Sequence, residues 1–441
     1  MEIRAKLISV VFLGFAALAV AGLSGSYIVP LDHEAIQYAT RPVRDPVHML
    51  GERIAKGEVK LEFDETHGYL RGLLKALEVP IESQVLVFSK TSFQAALISP
   101  RRPRALYYND RVAVGTVRGS DVLELASQDP QLGTIFYTLD NERTVRPRFQ
   151  RRDDACMQCH QSGATLGVPG LVVRSIYPEP TGMPLFQAGG FTTDHRSPLK
   201  QRWGGWYVTG THASMTHMGN AVARDPDHPE KLDAPAALNV EDLLKEFDAG
   251  NYLSSHSDIV SLMTLEHQTR MSNLITRVSF ETLMALHEQT ALNLALGLPA
   301  SEESGSTMRR IDSAVEEMVE YMLFLDEAPL EGPIRGSADF ARAFSQNGPR
   351  DKKGRSLRDF DLENRLFRYP LTYMIYSDAF DSMPAPALDR IYRKLYDVLA
   401  GQEKNPHFAR LRDEDRRAIY EILLETKANL PDYWRQVHAA P

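Results

Sequence analysis

The only two cysteines of this 441-residue chain lie three positions apart, in Cys156-Met157-Gln158-Cys159-His160. In a helix this spacing brings the two sulfurs about one turn apart on the same side. The histidine that directly follows the second cysteine can then lie beside the group that both thiols bind. The string therefore favours a short helical turn that presents two thiols and an imidazole together.

A C-x-x-C-H string is typical of a covalent attachment site for haem c. Each thiol adds to one vinyl group of the porphyrin, and the histidine binds the iron from the proximal side. We therefore expect one covalent haem c, with Cys156 and Cys159 as its thioether positions and His160 as an iron ligand.

Three other interpretations of the cysteine pair are open. A thiol redox motif usually lies in a βαβ setting, and none is evident around position 156. A zinc site would need further ligands, but the chain has no second cysteine pair, and His160 directly follows Cys159. A structural disulfide would leave the histidine unexplained.

The N-terminus favours the haem interpretation. Arg4 and Lys6 precede an apolar run over 7–23, and Ala19-Val20-Ala21 has the small-x-small form of a cleavage site. Residues 1–21 are thus predicted to be a signal peptide, or an uncleaved anchor, since the run reaches the short end of what spans a bilayer. Haem c is attached outside the bacterial cytoplasm, so we expect a periplasmic protein, held at the inner membrane only if the segment stays uncleaved.

The composition, 43% hydrophobic and 24% charged, is that of a soluble globular protein. The formal net charge of -8 makes nucleic acid and anionic membrane surfaces poor partners. A module that holds one haem needs only about a hundred residues. The chain is therefore much longer than a minimal electron carrier.

The hydrophobic pattern predicts an α+β fold in three parts. Residues 30–140 form a mixed α/β domain, with helices over 45–56 and 66–78 and a small antiparallel sheet with strands over 84–88, 105–108, 111–117, 122–126 and 134–139. Residues 141–224 form an irregular haem-binding segment with a short helix at the cysteines. Residues 236–441 form a mainly helical domain, with helices predicted over 240–247, 258–275, 280–296, 387–399 and 413–424, and loops over 301–307 and 348–356.

A sixth iron ligand is expected in the same middle segment, and methionine or histidine would be the usual choice. Met218, 58 residues after His160, is the first candidate; Met183, 23 residues after His160, lies in a Thr-Gly-Met-Pro turn. The competitors for this position are His195, His212 and His217. For each methionine, the alternative is that it only fills the core.

Other residues of interest have structural alternatives of the same kind. His267 shares an apolar helix face with Met271, where a hydrogen-bonded core histidine is the more common case. Trp203-Gly204-Gly205-Trp206-Tyr207 suits packing against a flat ring or an ordinary core. Four arginines before the cysteines could pair with haem propionates or simply form a surface cluster: Arg146, Arg148, Arg151 and Arg152.

Several strings give the chain a resemblance to known proteins. Through Cys156 to His160 it resembles the cytochrome c superfamily. It also resembles a largely uncharacterised group of exported bacterial proteins with a single cytochrome c site, through Phe88-Ser89-Lys90-Thr91-Ser92, Pro103 to Asp110, Thr193-Asp194-His195-Arg196, Trp203 to Tyr207 and Tyr369 to Tyr376. The resemblance implies haem c and an extracytoplasmic setting, and it names no substrate.

Two functions follow as hypotheses. The first is electron transfer in the periplasm, with a redox partner protein or a small-molecule electron donor or acceptor. The second is a peroxidase- or oxygenase-like haem enzyme with an open distal site, where His195, Arg196 or His212 would assist the chemistry. A haem-based gas sensor is a third.

Overall fold

The computed structural model describes residues 27–233 and 239–435. The predicted signal segment, 1–21, lies outside these residues. The fold is α+β, as the sequence predicts, with an antiparallel sheet built mainly from the N-terminal half and a C-terminal half that is mostly helical.

Most strands of the described residues lie in the N-terminal half. Their bounds are β1 (Val85–Val87), β2 (Arg104–Tyr108), β3 (Val112–Val117), β4 (Val122–Asp129), β5 (Gly133–Asp140), β6 (Phe149–Arg151), β7 (Arg174–Ile176), β8 (Gly190–Thr192), β9 (Trp206–Tyr207), β10 (Gly210–Thr211) and β11 (Arg335–Gly336). A seven-stranded sheet has the order β6-β5-β4-β3-β2-β1-β9, with each neighbouring pair antiparallel. Two short ladders, β7–β8 and β10–β11, lie outside it. The five predicted strands are confirmed.

The α-helices are α1 (Pro46–Ala55), α2 (Leu70–Ala76), α3 (Met157–His160), α4 (Ile259–Ala295), α5 (Gly305–Met322), α6 (Phe340–Gln346), α7 (Asp378–Asp381), α8 (Ala385–Leu399) and α9 (Asp413–Thr426). Short 3-10 turns lie at Ile81–Ser83, Gly163–Thr165, Phe186–Ala188, Leu199–Gln201, Ala249–Asn251, Tyr373–Tyr376, Pro406–Arg410 and Asp432–Trp434. The helices predicted over 45–56, 66–78, 387–399 and 413–424 are confirmed to within four residues at each end.

One predicted helix is absent, one predicted break between two helices is absent, and one predicted loop is too long. Residues 240–247 contain no helix, because Asn239, the residue that would cap it, has a φ of 57° and uses its side-chain oxygen to accept the backbone N–H of His212. The helices predicted over 258–275 and 280–296 are one continuous helix, α4, capped by Asp258. The predicted loop over 301–307 ends early, since Ser304 caps α5.

The sheet has two distinct faces. Its back face carries Tyr107, Val114, Leu125 and Tyr137 in register, and these side chains share one hydrophobic core with α1 and α2. The front face carries the opposite set, in which Leu106, Gly115, Glu124 and Thr138 lie side by side across β2 to β5.

The long helix α4 packs against the front face. The hydroxyl of Tyr108 donates to the carbonyl of Ser261 at 2.6 Å, and a Cβ on Gly133 would lie 2.5 Å from Thr276. Most of the first two-thirds of α4 is buried on every side, because the sheet covers one side of it and α5 packs along another. Among the helices in 27–233 and 239–435, none combines the length and apolarity needed to cross a membrane.

Candidate haem site

The cysteine string forms the one-turn helix α3, as the sequence predicts. The His160 N–H donates to the Cys156 carbonyl at 3.0 Å, which closes the turn. Cys156 is half-buried and Cys159 is exposed, and both are free thiols. The turn stops there because Ser162 adopts an extended conformation and starts a new 3-10 turn.

The imidazole of His160 is fixed by the backbone of Gly170. Nδ1 of His160 lies 2.9 Å from the Gly170 carbonyl oxygen, and the Gly170 N–H donates back to the His160 carbonyl at 2.9 Å. A carbonyl can only accept, so Nδ1 carries the proton and Nε2 is left as the basic nitrogen. Burial lowers the pKa of His160, which favours the neutral ring that metal ligation requires.

Helix α4 packs against Gly170 and Leu171 through its residue Asn273. The Asn273 side chain donates to the Leu171 carbonyl at 2.8 Å, and a Cβ on Gly170 would lie 2.0 Å from its Oδ1 atom. Glycine at 170 therefore allows the chain to pass directly beside α4. The His160 ring also lies against Phe136 of the front face, with ring centroids 4.7 Å apart.

A polar cluster lies on the same face of the sheet. The carboxylate of Glu124 on β4 accepts hydrogen bonds from the Ser92 hydroxyl at 2.9 Å and the Gln94 amide at 2.6 Å. It also pairs with the guanidinium of Arg104 on β2. The Nε atom of Arg104 is buried and has no hydrogen-bond partner among the described residues.

The charges of this cluster act on the cysteine string. Burial raises the pKa of the Cys156 thiol, and the Glu124 carboxylate raises it further, while Arg152 and Arg104 oppose that rise. For His160, where burial dominates, Arg104 lowers the pKa and Glu124 raises it. The geometry agrees with these directions, because Glu124 lies in register with Thr138 on β5, whose hydroxyl accepts the Arg152 hydrogen bond, and Phe136, two residues earlier on the same face, contacts the His160 ring.

The raised thiol pKa bears on the thiol redox alternative. Reactive cysteines of C-x-x-C redox motifs have a lowered pKa, because the thiolate is the attacking form. Burial shifts Cys156 in the opposite direction. The surroundings of Cys156 thus do not favour redox exchange.

These side chains fit a covalently bound haem. Two free thiols lie one turn apart, a neutral imidazole has its Nδ1 already bonded, and Arg104 has a buried donor with no partner. Outer hydrogen bonds of this kind orient a metal-ligating histidine and raise its basicity. Cys156 and Cys159 would hold the porphyrin, and His160 would hold its iron.

The four arginines that precede the cysteines have different surroundings in the structure. Arg151 donates to Asp153 at 2.6 Å and to the Tyr38 carbonyl at 2.7 Å, so its charge is used locally. Arg152 donates from Nε to the Thr138 hydroxyl at 3.0 Å and contributes to the electrostatics of Cys156. Arg146 and Arg148 are exposed.

Glu124, Arg104, Ser92 and Gln94 were not among the residues selected from the sequence. Glu124 alternates with Leu123 and Leu125 along β4, which marks it as facing away from the back-face core. Nothing in the sequence shows that this face lies beside residue 156.

The two candidate methionines lie in different environments. Met218 is 5% exposed, and its sulfur accepts a weak hydrogen bond from the Ser175 hydroxyl at 3.5 Å. Met183 is 43% exposed. Among the described residues, no hydrogen bond joins the side chain of either methionine to residues 156–160.

His195 and His267 form a buried pair. Their Nδ1 atoms lie 2.8 Å apart, and Nε2 of His267 lies 2.8 Å from the Thr372 hydroxyl. Tyr321 and Phe324 stack on His195 at 4.2 Å and 4.4 Å between ring centroids. This is the hydrogen-bonded core arrangement that was the alternative for His267.

His212 and His217 lie together in another part of the core, with ring centroids 4.7 Å apart. His212 accepts the Asn239 N–H at 3.3 Å, and His217 accepts the Gly219 N–H at 3.0 Å. Arg196 pairs with Asp194. Each of these candidates for an open distal side thus has a polar partner, although Nε2 of His195 and Nδ1 of His212 are buried with no hydrogen-bond partner among the described residues.

The tryptophan segment contributes β9, the edge strand of the sheet at the end opposite β6. Trp206 lies in register with Val87, on the same face as Arg104, and its indole donates to the Arg174 carbonyl at 2.8 Å. Trp203 is fully buried beside His217. Both rings thus have structural roles.

A separate, shallow cleft opens between the front face and α4, lined by residues that include Tyr108, Ala126, Leu171 and Leu265. No residue of 156–160 lines it. Within 27–233 and 239–435 there is also no group of three or more His, Cys, Asp or Glu residues that could hold a metal ion. A haem iron needs only one or two protein ligands, because the porphyrin supplies four.

Comparisons with known proteins give no relative: the chain matches no protein-family model, no curated protein and no solved structure.

Proposed function

We propose that this protein is an exported c-type cytochrome with one covalent haem and that it transfers electrons in the periplasm. The observation that carries the haem proposal is the hydrogen bond between Nδ1 of His160 and the Gly170 carbonyl, which makes Nε2 the basic nitrogen of a ring that shares one helical turn with two free thiols. A thiol redox pair or a disulfide would need no such orientation of the following histidine.

Electron transfer is the function that the exposure of the string favours. Cys159 is exposed, so a group bonded to its sulfur would have an edge at the protein surface. A surface edge lets a redox protein or a small electron donor or acceptor approach without opening the fold. The haem would supply the reversible one-electron change, and the chain would hold and orient it.

A haem enzyme is the second candidate, and the Glu124 cluster is the observation that favours it. A carboxylate, an arginine and an amide gathered beside a haem could move a proton and stabilise negative charge on a bound small molecule. This function would require an open coordination position on the iron.

Covalent haem is tested by producing the full chain, with its N-terminal segment, in a bacterium that matures c-type cytochromes. We expect haem to remain on the protein in a denaturing gel, with a mass increase of one haem. The double variant Cys156→Ser/Cys159→Ser should lose it, and each single variant should keep one thioether, visible as a shifted pyridine haemochrome band. A purified protein with two titratable thiols and no haem would overturn the proposal.

The choice between the two functions is tested on the ferric protein. Low-spin iron that does not change when peroxide or cyanide is added supports electron transfer. High-spin iron that binds either ligand supports the enzyme.

A further inference from the structure

The C-terminal end of helix α4 and the turn that follows it carry a cluster of exposed leucines, which we call the leucine tip. Its four side chains are between 40% and 64% exposed: Leu292, Leu294, Leu296 and Leu298. Other exposed apolar side chains of the described residues, such as Phe93 and Val145, stand singly in the sequence. Single exposed apolar residues are ordinary, whereas a contiguous group marks a surface that binds a protein or a membrane.

The leucine tip has a fixed backbone. Gly297 ends the helix with a φ of 70°, and its N–H donates to the Leu294 carbonyl at 3.2 Å. The buried side chain of Asn293 donates to the carbonyls of Pro299 and Glu302 at 3.2 Å and 2.8 Å. These bonds fold the following loop back onto one side of the helix. The leucines are therefore exposed on an ordered helix end.

The leucine tip also carries no charge. Residues 289–301 contain no Asp, Glu, Lys, Arg or His, and the charged residues that bound this stretch are Glu288 and Glu302. Burying a charged group in an apolar environment is costly, and this stretch has none to bury. The tip is therefore suited to enter an apolar environment.

The leucines surround the helix axis and do not line a single face. Successive residues of an α-helix are about 100° apart, so Leu294 lies about 200° from Leu292, and Leu296 lies only about 40° from Leu292. A helix that binds in a protein groove presents one apolar face to it. An apolar end that is exposed on opposite sides fits a lipid surface, because lipids can cover it from every side.

The N-terminal segment joins the folded protein beside the same helix. The guanidinium of Arg277 on α4 donates to the Tyr27 carbonyl at 2.7 Å and lies over the Tyr27 ring, 5.5 Å from its centroid. Further along α4, His287 pairs with Glu34 at 3.5 Å. Residues 1–26, which include the apolar run over 7–23, thus precede a position on α4. The predicted membrane segment and the leucine tip are therefore attached to one helix.

From these observations we infer that the leucine tip inserts into the surface of a lipid bilayer and holds the protein there, with or without residues 1–21. The contact is peripheral, since no helix in 27–233 or 239–435 has the length and apolarity to cross a membrane. Apolar groups in such contacts lie roughly 5–10 Å deep, at the boundary between headgroups and acyl chains. The assignment of this bilayer as the inner membrane rests on the export proposed above, whereas the contact itself does not depend on haem.

The formal net charge of -8 gives the protein no general attraction to anionic lipids. Binding through the leucine tip should therefore depend on apolar insertion and not on lipid charge. We expect equal insertion into vesicles of phosphatidylcholine and into vesicles of phosphatidylethanolamine with phosphatidylglycerol.

Insertion is tested on the purified full chain by tryptophan fluorescence, with vesicles whose lipids carry bromine on the acyl chains, because bromine quenches tryptophan only at short range. Leu294→Trp places a reporter in the leucine tip. Phe93→Trp is the matched control, since Phe93 and Leu294 are both 64% exposed. The three natural tryptophans are buried, so bromine in the lipid does not reach them.

We expect both kinds of brominated vesicle to quench Leu294→Trp and to leave Phe93→Trp and the natural protein unchanged. The signal is the ratio of emission in brominated and ordinary lipids, so quenching by haem cancels. Unchanged emission from Leu294→Trp would overturn the inference, and so would equal quenching of the two variants, which would indicate general adsorption. Quenching confined to the anionic vesicles would overturn the apolar account.

Sedimentation velocity tests the other occupant, a second copy of this chain. A dimer that becomes a monomer in Leu292→Ser/Leu294→Ser/Leu296→Ser, with no quenching by vesicles, would mean that the leucine tip joins two copies and would overturn membrane insertion. The leucines are exposed, so these replacements should leave the fold intact, which far-ultraviolet circular dichroism checks. A protein that inserts into vesicles but has no covalent haem would overturn the proposed function alone.

Discussion

Nδ1 of His160 lies 2.9 Å from the carbonyl oxygen of Gly170, and the Gly170 N–H returns a hydrogen bond of 2.9 Å to the His160 carbonyl. This pair of bonds fixes both the ring orientation and the tautomer of the histidine. Helix α4 supports the arrangement from behind through Asn273. The proposed iron ligand is therefore oriented by a residue ten positions later and a helix a hundred positions later.

Replacing Gly170 with alanine should disturb this support. The new Cβ would lie 2.0 Å from the Oδ1 atom of Asn273, whose side chain is buried and cannot swing aside. Overpacking of this kind costs about 1–3 kcal/mol. Urea unfolding of the holoprotein should show this loss. Gly250→Ala is the control, because the nearest atom to its Cβ would be 4.0 Å away; equal midpoints for the two variants would contradict the prediction.

The Glu124–Arg104 pair should tune the reduction potential of the proposed haem. A carboxylate beside the haem stabilises the more positive ferric iron, so Glu124→Gln should raise the potential and Arg104→Gln should lower it. Potentiometric titration measures both shifts. Glu62→Gln, which removes an exposed carboxylate paired with Lys75, is the control and should leave the potential nearly unchanged. Shifts of the same sign in Glu124→Gln and Arg104→Gln would contradict this account.

The buried His267 should make stability depend on pH. Burial lowers the pKa of His267 to about 3, whereas a histidine in the unfolded chain has a pKa of about 6.5. The unfolded state therefore binds the extra proton first, and the contribution of His267 is present above pH 6.5 and is lost as the pH falls towards 3. Between these limits the free energy of unfolding should fall by about 1.4 kcal/mol per pH unit more in the natural protein than in His267→Gln. Parallel curves for the two proteins would show that His267 does not titrate differently on folding.

Replacing one partner of the buried ion pair between Arg202 and Glu266 should lower the free energy of unfolding. Both side chains are buried, their closest N–O distance is 3.0 Å, and Arg202 also donates to the carbonyls of His195 and Ser197. Arg202→Met would leave a carboxylate in the core, a loss of about 3–5 kcal/mol for buried pairs. Because burial raises the pKa of Glu266 to about 7, the loss should be smaller below neutral pH, where the carboxyl takes up a proton. Thermal unfolding at two pH values measures this, and a pH-independent loss would exclude the explanation.

The elements that the sequence predicts well are those stabilised by local contacts. The alternating strands β2 to β5 are examples, since each back-face residue has its cross-strand neighbours within a hairpin. The long helix α4 is different. Residues 276–279 are β-branched or polar, and such residues have a low helix propensity, so the sequence predicts that the helix is interrupted there. Burial against the sheet and α5 keeps the helix continuous. The predicted helix over 240–247 is absent for a different reason. The side-chain oxygen of Asn239, which could have capped it, accepts the backbone N–H of His212 instead.

The sequence by itself determines the chemistry of residues 156–160, because two thiols and an imidazole within one helical turn need only local backbone geometry. Only the tertiary structure decides what surrounds them. Gly170, Asn273 and Glu124 reach the site through chain crossings, and the exposure of Met183 and burial of Met218 depend on packing between distant segments. Such contacts are set by the free energy of the whole folded chain, and no short stretch of residues encodes them.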